Sequence, residues 1–167
     1  MNDLSSNHLV AAIDFSENSR SALFFAATLA DRLQSRLTIL HVIHDPVSSP
    51  GYYVRDSGTE EFQTIEELAK GKFKEFMNEI QKDNPDIKSL VYAETLLVSG
   101  IPVPRILEVV ENINPDMVIM GSLGRTGLAH VLLGSKAERV AQLCPVPVTI
   151  VKQEVSVAEK QDSKEIE

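Results

Sequence analysis

Short apolar runs alternate along the chain with longer segments in which apolar residues recur at helical spacing. Residues 8–14 and 36–43 are brief runs rich in aliphatic and β-branched side chains, without strict alternation, as is typical of strands covered on both faces. Between them, Ala22, Ala26 and Leu33 belong to an apolar series with intervals of three and four residues. These segments predict a first strand, an amphipathic first helix and a second strand.

The middle of the chain repeats this alternation after a long connection. Prolines, glycines and serines punctuate residues 44–58, which is typical of a loop. A long helical face follows, carried by Phe62, Ile65, Leu68, Ala69, Phe73, Met77 and Ile80. Helix two should end before Asn84 and Pro85, because helix is disfavoured before proline. The further predicted elements are strand three over residues 90–98, helix three over residues 104–113 and strand four over residues 116–120.

The last third of the chain combines a glycine-rich loop, a helix and a final strand. Ser135 and Glu138 have the spacing of a capping box, which predicts that helix four is capped by Ser135. Residues 146–151 predict the last strand, and Pro147 places it at a sheet edge because proline cannot donate a ladder hydrogen bond. Residues 153–167 are too polar to bury a face and predict a solvated tail after a domain of residues 1–152.

The order of these elements predicts a single α/β domain. Strands that alternate with helices form an open, mostly parallel sheet, here five-stranded and Rossmann-like, with helices on both faces. The length of 167 residues suits one domain with its own core. Ligands of such sheets bind at the carboxyl ends of the strands, where the strand order reverses. The positions to inspect are therefore Asp14, Val42 and Met120.

Charge and composition narrow the classes of partner. A net charge of −8 argues against a nucleic acid, because binding one requires clustered Lys and Arg. No run approaches the roughly 20 apolar residues of a spanning helix, and the polar start lacks the features of a signal peptide. We therefore expect no membrane partner and a cytoplasmic location. The lone cysteine, Cys144, is interpreted as a buried structural thiol, and the four histidines lack metal-ligand spacing.

Glycines are concentrated between strand four and helix four. Glycine lets backbone amides approach a ligand closely, and the free amides at a helix start favour an anion. The segment that begins at Gly121 therefore favours phosphate binding, although a loop that merely turns between strand and helix also uses glycines. No GxGxxG and no Walker motif occurs, which disfavours dinucleotide sites and motor-type ATPase sites.

The spacing G-x2-G-x9-G-S, formed by Gly121, Gly124, Gly134 and Ser135, resembles the signature of ATP-binding universal stress proteins. The resemblance covers about residues 8–152 and includes Asp-Phe-Ser at 14–16, Leu-His-Val-Ile at 40–43, Gly-Ile-Pro at 100–102 and Cys-Pro-Val at 144–146. It implies a fold similar to that of the adenine-nucleotide α-hydrolases and a binding site for an adenine nucleotide.

The resemblance also implies which residues hold the nucleotide. Asp14 and the backbone of Val42 would recognise adenine, and Ala12, in place of a proline common in the family, leaves room for the base. Met120 and Gly121 would border the ribose. The phosphates would be approached by Gly124, Gly134, Ser135 and Lys136. ATP is the expected ligand, with ADP and AMP as alternatives, and Mg²⁺ would be held mainly through the phosphates.

Two of these residues have a second interpretation. Asp14 is also placed to cap the N-terminus of helix one. Lys136 stands where the family usually has a small or aliphatic residue, so its ammonium group either contacts phosphate or reaches into solvent.

The favoured function is a nucleotide-dependent regulatory module in the stress response. No catalytic residue is assigned, because no motif places a base beside a nucleophile. A slow ATP-hydrolysing enzyme and an adaptor or dimerisation domain without nucleotide are the alternatives. A hydrophobic strand at a sheet edge invites association, so residues 146–151, together with the resemblance, predict a homodimer. The sequence identifies no protein client.

Overall fold

The computed structural model describes residues 7–44, 64–123 and 133–152. Within these residues, five strands and five helices follow one another along the chain. The strands are β1 (His8–Ile13), β2 (Arg36–Ile43), β3 (Glu94–Ser99), β4 (Met117–Gly121) and β5 (Val148–Val151). The helices are α1 (Glu17–Leu33), α2 (Ile65–Asp83), α3 (Lys88–Tyr92), α4 (Pro102–Ile113) and α5 (Ser135–Leu143).

The five strands form one sheet in the order β3-β2-β1-β4-β5, and every neighbouring pair is parallel. This confirms the predicted sheet and the position of β5 at its edge. The chain builds outward from β1 to β2 and β3, and then continues on the other side of β1 with β4 and β5. The strand order therefore reverses between β1 and β4, and the crevice at their carboxyl ends is where such folds bind ligands.

Two apolar layers hold the sheet, because alternate residues of each strand point to opposite faces. On one face, Ile39 and Ile119 pack with residues of α1, α2 and α3. On the other face, Leu40 and Val118 pack with residues of α4 and α5. Both layers exclude water from the central strands, so β1 is buried at all six positions. This explains the continuous apolar run that the sequence shows there.

The predicted third strand was wrong at its start. Residues 88–92 form the short helix α3, and β3 begins only at Glu94. The carboxylate of Asp31, on α1, accepts hydrogen bonds from the backbone amides of Lys88 (2.9 Å) and Ser89 (2.7 Å) and from the Ser89 hydroxyl. Leu90 is 2% exposed and packs in the same core as α1. The contact with α1 thus satisfies the first amides of α3 and buries Leu90, whereas Val91 and Tyr92 stay exposed.

Two predicted boundaries beside prolines were also wrong. Helix three was expected from residue 104, but α4 begins at Pro102, because proline fits a first helical position where no amide donor is required. The last strand was expected from residue 146, but β5 begins at Val148, after Pro147, whose carbonyl accepts the Val118 amide at 2.9 Å. Cys144 was expected to be buried, but it is only half-buried, at the C-cap of α5.

The predicted end of helix two is confirmed. Helix α2 ends at Asp83, before Asn84 and Pro85, and buries Ala69, Phe73, Met77 and Ile80. Phe62, most of the connection after β2 and the tail of residues 153–167 lie outside the described residues. No helix in the described parts of the chain is long and apolar enough to cross a membrane.

Candidate functional site

Three of the residues expected to contact the base and the ribose meet on one face of the sheet. Ala12 on β1 is the register partner of Met120 on β4, and Val42 lies near the carboxyl end of the neighbouring strand β2. All three belong to the layer covered by α4 and α5, and each is buried, with 7% exposure for Ala12 and Met120 and 8% for Val42. The structure therefore brings them together beside the point where the strand order reverses.

The N-terminus of α5 is attached to the end of β4. The amide of Gly134, the N-cap of α5, donates to the carbonyl of Ser122 at 2.7 Å, and Ser122 directly follows β4. The first intrahelical bond of α5 runs from the Glu138 amide to the Gly134 carbonyl at 2.9 Å. The amides of Ser135 and Lys136 consequently lack an intrahelical acceptor and lie at the positive end of the helix dipole.

The predicted capping box at this helix is wrong. Ser135 is the first helical residue and not the cap, and no side chain of the described residues caps the helix. The carboxylate of Glu138 instead accepts from the side-chain amide of Gln142 at 3.3 Å. The cap moves to Gly134 because its backbone is extended (φ −72°, ψ 147°) and is fixed by the bond to Ser122. The side chains of Ser135 and Lys136 are exposed.

Gly121 has a packing role that the sequence did not reveal. A Cβ added to Gly121 would lie 2.8 Å from the carbonyl carbon of Asn18 and 2.9 Å from its oxygen, so glycine allows the first turn of α1 to approach β4. The next residue, Ser122, is buried and donates from its hydroxyl to Asn18 Oδ1 at 3.2 Å and from its amide to the Val151 carbonyl at 2.8 Å. Asn18 and Ser122 therefore join the end of β4 to α1 and β5.

Asp14 lies directly after β1 and is held by two serines. Its Oδ1 accepts from the Ser16 amide at 3.2 Å, from the Ser16 hydroxyl at 2.6 Å and from the Ser19 hydroxyl at 2.5 Å. The alternative interpretation of Asp14 as the cap of the first helix is wrong. Ser16 is the N-cap of α1, because its Oγ accepts the Ser19 amide at 3.2 Å.

Phe15, between Asp14 and the cap, adopts a left-handed conformation with φ 63°. Its ring lies 4.1 Å from the His41 ring and 5.4 Å from the Phe76 ring, and Lys72 Nζ lies 5.8 Å from its centre. His41 Nδ1 is 2.9 Å from the carbonyl oxygen of Ile13, which can only accept, so this nitrogen carries a proton. Burial lowers the pKa of His41 to about 4, so the ring of this β2 residue is neutral at pH 7.

Part of the expected site falls outside the described residues. Gly124 lies there, as do the other residues between 123 and 133. Among the described residues, no group of three or more His, Cys, Asp or Glu side chains is arranged to hold a metal ion. The described part of the site thus consists of an apolar strand surface, the carboxylate of Asp14 and the start of α5.

Comparison with known sequences identifies relatives over most of the chain. The sequence model of the universal stress protein family matches residues 6–152. The chain is 31% identical over 155 residues to the universal stress protein YxiE of Bacillus subtilis, with 87% of this chain and 99% of that protein covered. It is also 31% identical over 156 residues to the universal stress protein MJ0577 of Methanocaldococcus jannaschii, with 86% and 93% covered.

Comparison with solved structures finds the same fold in other proteins, one of which is MJ0577. The structure of MJ0577 matches with a TM-score of 0.61 and 26% identity, covering 90% of this chain and 98% of that one. A universal stress protein in complex with cAMP matches with a TM-score of 0.58 and 22% identity, covering 87% and 96%. A universal stress protein from Archaeoglobus fulgidus in complex with dAMP matches with a TM-score of 0.54 and 19% identity, covering 89% and 99%. The two complexes share the fold of this chain.

Proposed function

This chain belongs to the universal stress protein family, and on that premise we propose that it is an ATP-binding regulatory module of the stress response. One observation carries the proposal. The buried face formed by Ala12, Val42 and Met120 adjoins the N-terminus of α5, where backbone amides lack intrahelical acceptors. An apolar surface beside such amides suits an aromatic base joined to phosphates. We place the protein in the cytoplasm.

Each part of the nucleotide has its own proposed contacts. Adenine would be recognised by Asp14 and by the backbone of Val42, with Ala12 beneath it, and the ribose would lie beside Met120 and Gly121. The phosphates would lie against Gly134, Ser135 and Lys136, together with Gly124 from the remainder of the loop. The net charge of −8 makes this local arrangement necessary, since the chain as a whole repels anions.

Two neighbouring structures support adenine nucleotides as the ligand class. The cAMP and dAMP bound in those proteins both contain adenine and phosphate. ADP and AMP share these groups with ATP and are the alternative ligands. Bound Mg²⁺ would be held mainly through the phosphates and water, and its charge would offset the repulsion between the phosphates and Glu138, in the first turn of α5.

We further propose that the protein is a homodimer formed through residues 146–151. Strand β5 is at the edge of the sheet, and all four of its residues are half-buried. An edge strand presents backbone groups to any approaching strand, so pairing with a second copy would satisfy them in a controlled way. Pro147 removes one donor just before β5, so side-chain packing would contribute alongside backbone pairing.

Isothermal titration of the Gly134→Val variant with ATP and Mg²⁺ tests the proposed phosphate contact. A branched side chain at the N-cap would keep phosphates away from the first amides of α5, and losing even one charge-assisted hydrogen bond weakens affinity by about tenfold or more. The backbone of Gly134 has φ −72° and ψ 147°, which valine adopts without strain. Destabilisation should therefore be about 1 kcal/mol, the usual cost of a poor N-cap.

Gly127→Ala is the control, because this glycine belongs to the same glycine-rich part of the sequence but lies outside the G-x2-G-x9-G-S spacing. It should bind ATP nearly as the parent does. A Gly134 variant that melts and binds like the parent would show that the phosphates lie elsewhere. The same samples report hydrolysis: turnover approaching the roughly 1 per second of typical enzymes would favour an enzyme over a regulatory module.

A further inference from the structure

The serines around Asp14 do more than cap α1. Capping requires only that Ser16 Oγ accept the Ser19 amide. In addition, the hydroxyls of Ser16 and Ser19 both donate to Asp14 Oδ1. The Ser19 hydroxyl also accepts from the Asp14 amide at 2.9 Å, so Ser19 holds both the backbone and the side chain of Asp14.

These bonds fix the direction in which the carboxylate points. Hydrogen bonds from hydroxyls to a carboxylate are short and roughly twice as strong as neutral ones. Ser19 is 3% exposed, so water does not compete for its hydroxyl. An ionised carboxylate only accepts hydrogen bonds, so a ligand group that interacts with Asp14 in this way must be a donor, such as an amino group.

The backbone on either side of Asp14 is equally constrained. Ala12, two residues earlier, is paired in the centre of the sheet between β2 and β4. Phe15, the next residue, has φ 63°, and its ring is held against the buried ring of His41. These constraints fix the backbone around Asp14 directly after β1, the strand beside which the strand order reverses, and the serine hydrogen bonds hold its Oδ1.

We propose that Ser19, assisted by Ser16, is a positioning residue that makes the site selective for a 6-aminopurine. By holding Oδ1, the two hydroxyls orient the Asp14 carboxylate to accept a hydrogen bond from the exocyclic amino group of adenine. A carboxylate free to rotate would bind that amino group in only a fraction of its conformations. This inference rests on the proposed function, because it concerns the residue proposed to recognise the base.

The test compares two nucleotides that differ only at the base. Purine riboside 5′-triphosphate has the sugar and phosphates of ATP but hydrogen in place of the 6-amino group. Isothermal titration should show that Ser19→Ala weakens ATP binding by about tenfold, the usual value of a hydrogen bond to a charged group. The same variant should weaken binding of the analogue by less than about threefold, because the group that Asp14 would recognise is already missing.

Two further variants complete the design. Ser21→Ala is the matched control, because the Ser21 hydroxyl donates to the Glu17 carbonyl of its own helix at 3.1 Å, and this variant should retain both affinities. Ser16→Ala should shift selectivity in the same direction as Ser19→Ala and carries the test if the buried Ser19 variant does not fold.

If the parent protein binds ATP, two outcomes would overturn this inference and leave the proposed function intact. If the serine variants weaken binding of both nucleotides equally, the serines support the structure around Asp14 and do not act in recognition of the amino group. Unchanged ATP binding in the serine variants would show that the carboxylate needs no such support. A folded parent that binds neither nucleotide would overturn the proposed function as well, so the two failures are distinguishable.

Discussion

Replacement of Gly121 by alanine should destabilise the protein through one specific collision. The added Cβ would lie 2.8 Å from the carbonyl carbon of Asn18 and 2.9 Å from its Cβ and oxygen. Two of these atoms belong to the backbone of the first turn of α1, so they cannot rotate away as the end of a flexible side chain would. The turn that carries Asn18 would have to move away from β4.

The size of the effect follows from this geometry. Forcing an extra carbon into a packed site typically costs about 1–3 kcal/mol, and a collision with backbone belongs in the upper part of that range. Gly71 offers the opposite case, because it lies inside α2 and a Cβ added there meets nothing within 4 Å. Gly71→Ala should therefore stabilise the protein by about 0.5–1 kcal/mol through higher helix propensity.

Urea unfolding followed by circular dichroism measures both effects under one set of conditions. The parent, Gly121→Ala and Gly71→Ala should have similar slopes and clearly separated midpoints, with the Gly121 variant lowest and the Gly71 variant highest. A Gly121 variant as stable as the parent would refute the reasoning, since it would mean that α1 adjusts at no cost. A destabilised Gly71 variant would contradict the open space at that position.

Two other properties can be measured directly. His41 has a pKa near 6.5 when unfolded and about 4 when folded, so acidification from pH 6.5 to 4 protonates the unfolded chain first. The free energy of unfolding should thus fall by up to about 3 kcal/mol across that window. The His41→Asn variant should lose this part of the pH dependence. If the parent and the variant show identical dependence of stability on pH, the prediction is wrong. The proposed dimer should scatter light as about 37 kDa, twice the 18.4 kDa of one chain, whereas a mass of one chain would refute a stable dimer.

The sheet was predictable because its signal is local. Each central strand is buried on both faces and therefore reads as a short apolar run, as in β1 and β2. The start of β3 was not predictable in this way, because an apolar run around Leu90 fits a strand or a buried helix equally well. Asp31 decides between them from 57 residues away, through its hydrogen bond to the Lys88 amide.

The candidate site also combines features that were predictable from the sequence with features that were not. The meeting of Ala12, Val42 and Met120 was predictable, because the carboxyl ends of parallel strands share one edge of the sheet. The cap of α5 was not, because the pattern of Ser135 and Glu138 reads the same whether or not Ser135 lies inside the helix. Asn18 and Ser122 were also missed, since a tertiary contact between two polar residues leaves no periodic trace.

The hydrogen bond between Gly134 and Ser122 has a consequence for engineering. It joins the two ends of the glycine-rich segment, while Ser122 is also tied to β5 and α1. The segment between them can therefore be lengthened or exchanged without changing where β4 stops or where α5 starts. Closure entropy depends only weakly on the number of residues in a connection, since each doubling costs about 0.6 kcal/mol. A library of grafted segments at residues 124–132 would test how much the proposed nucleotide binding depends on this segment.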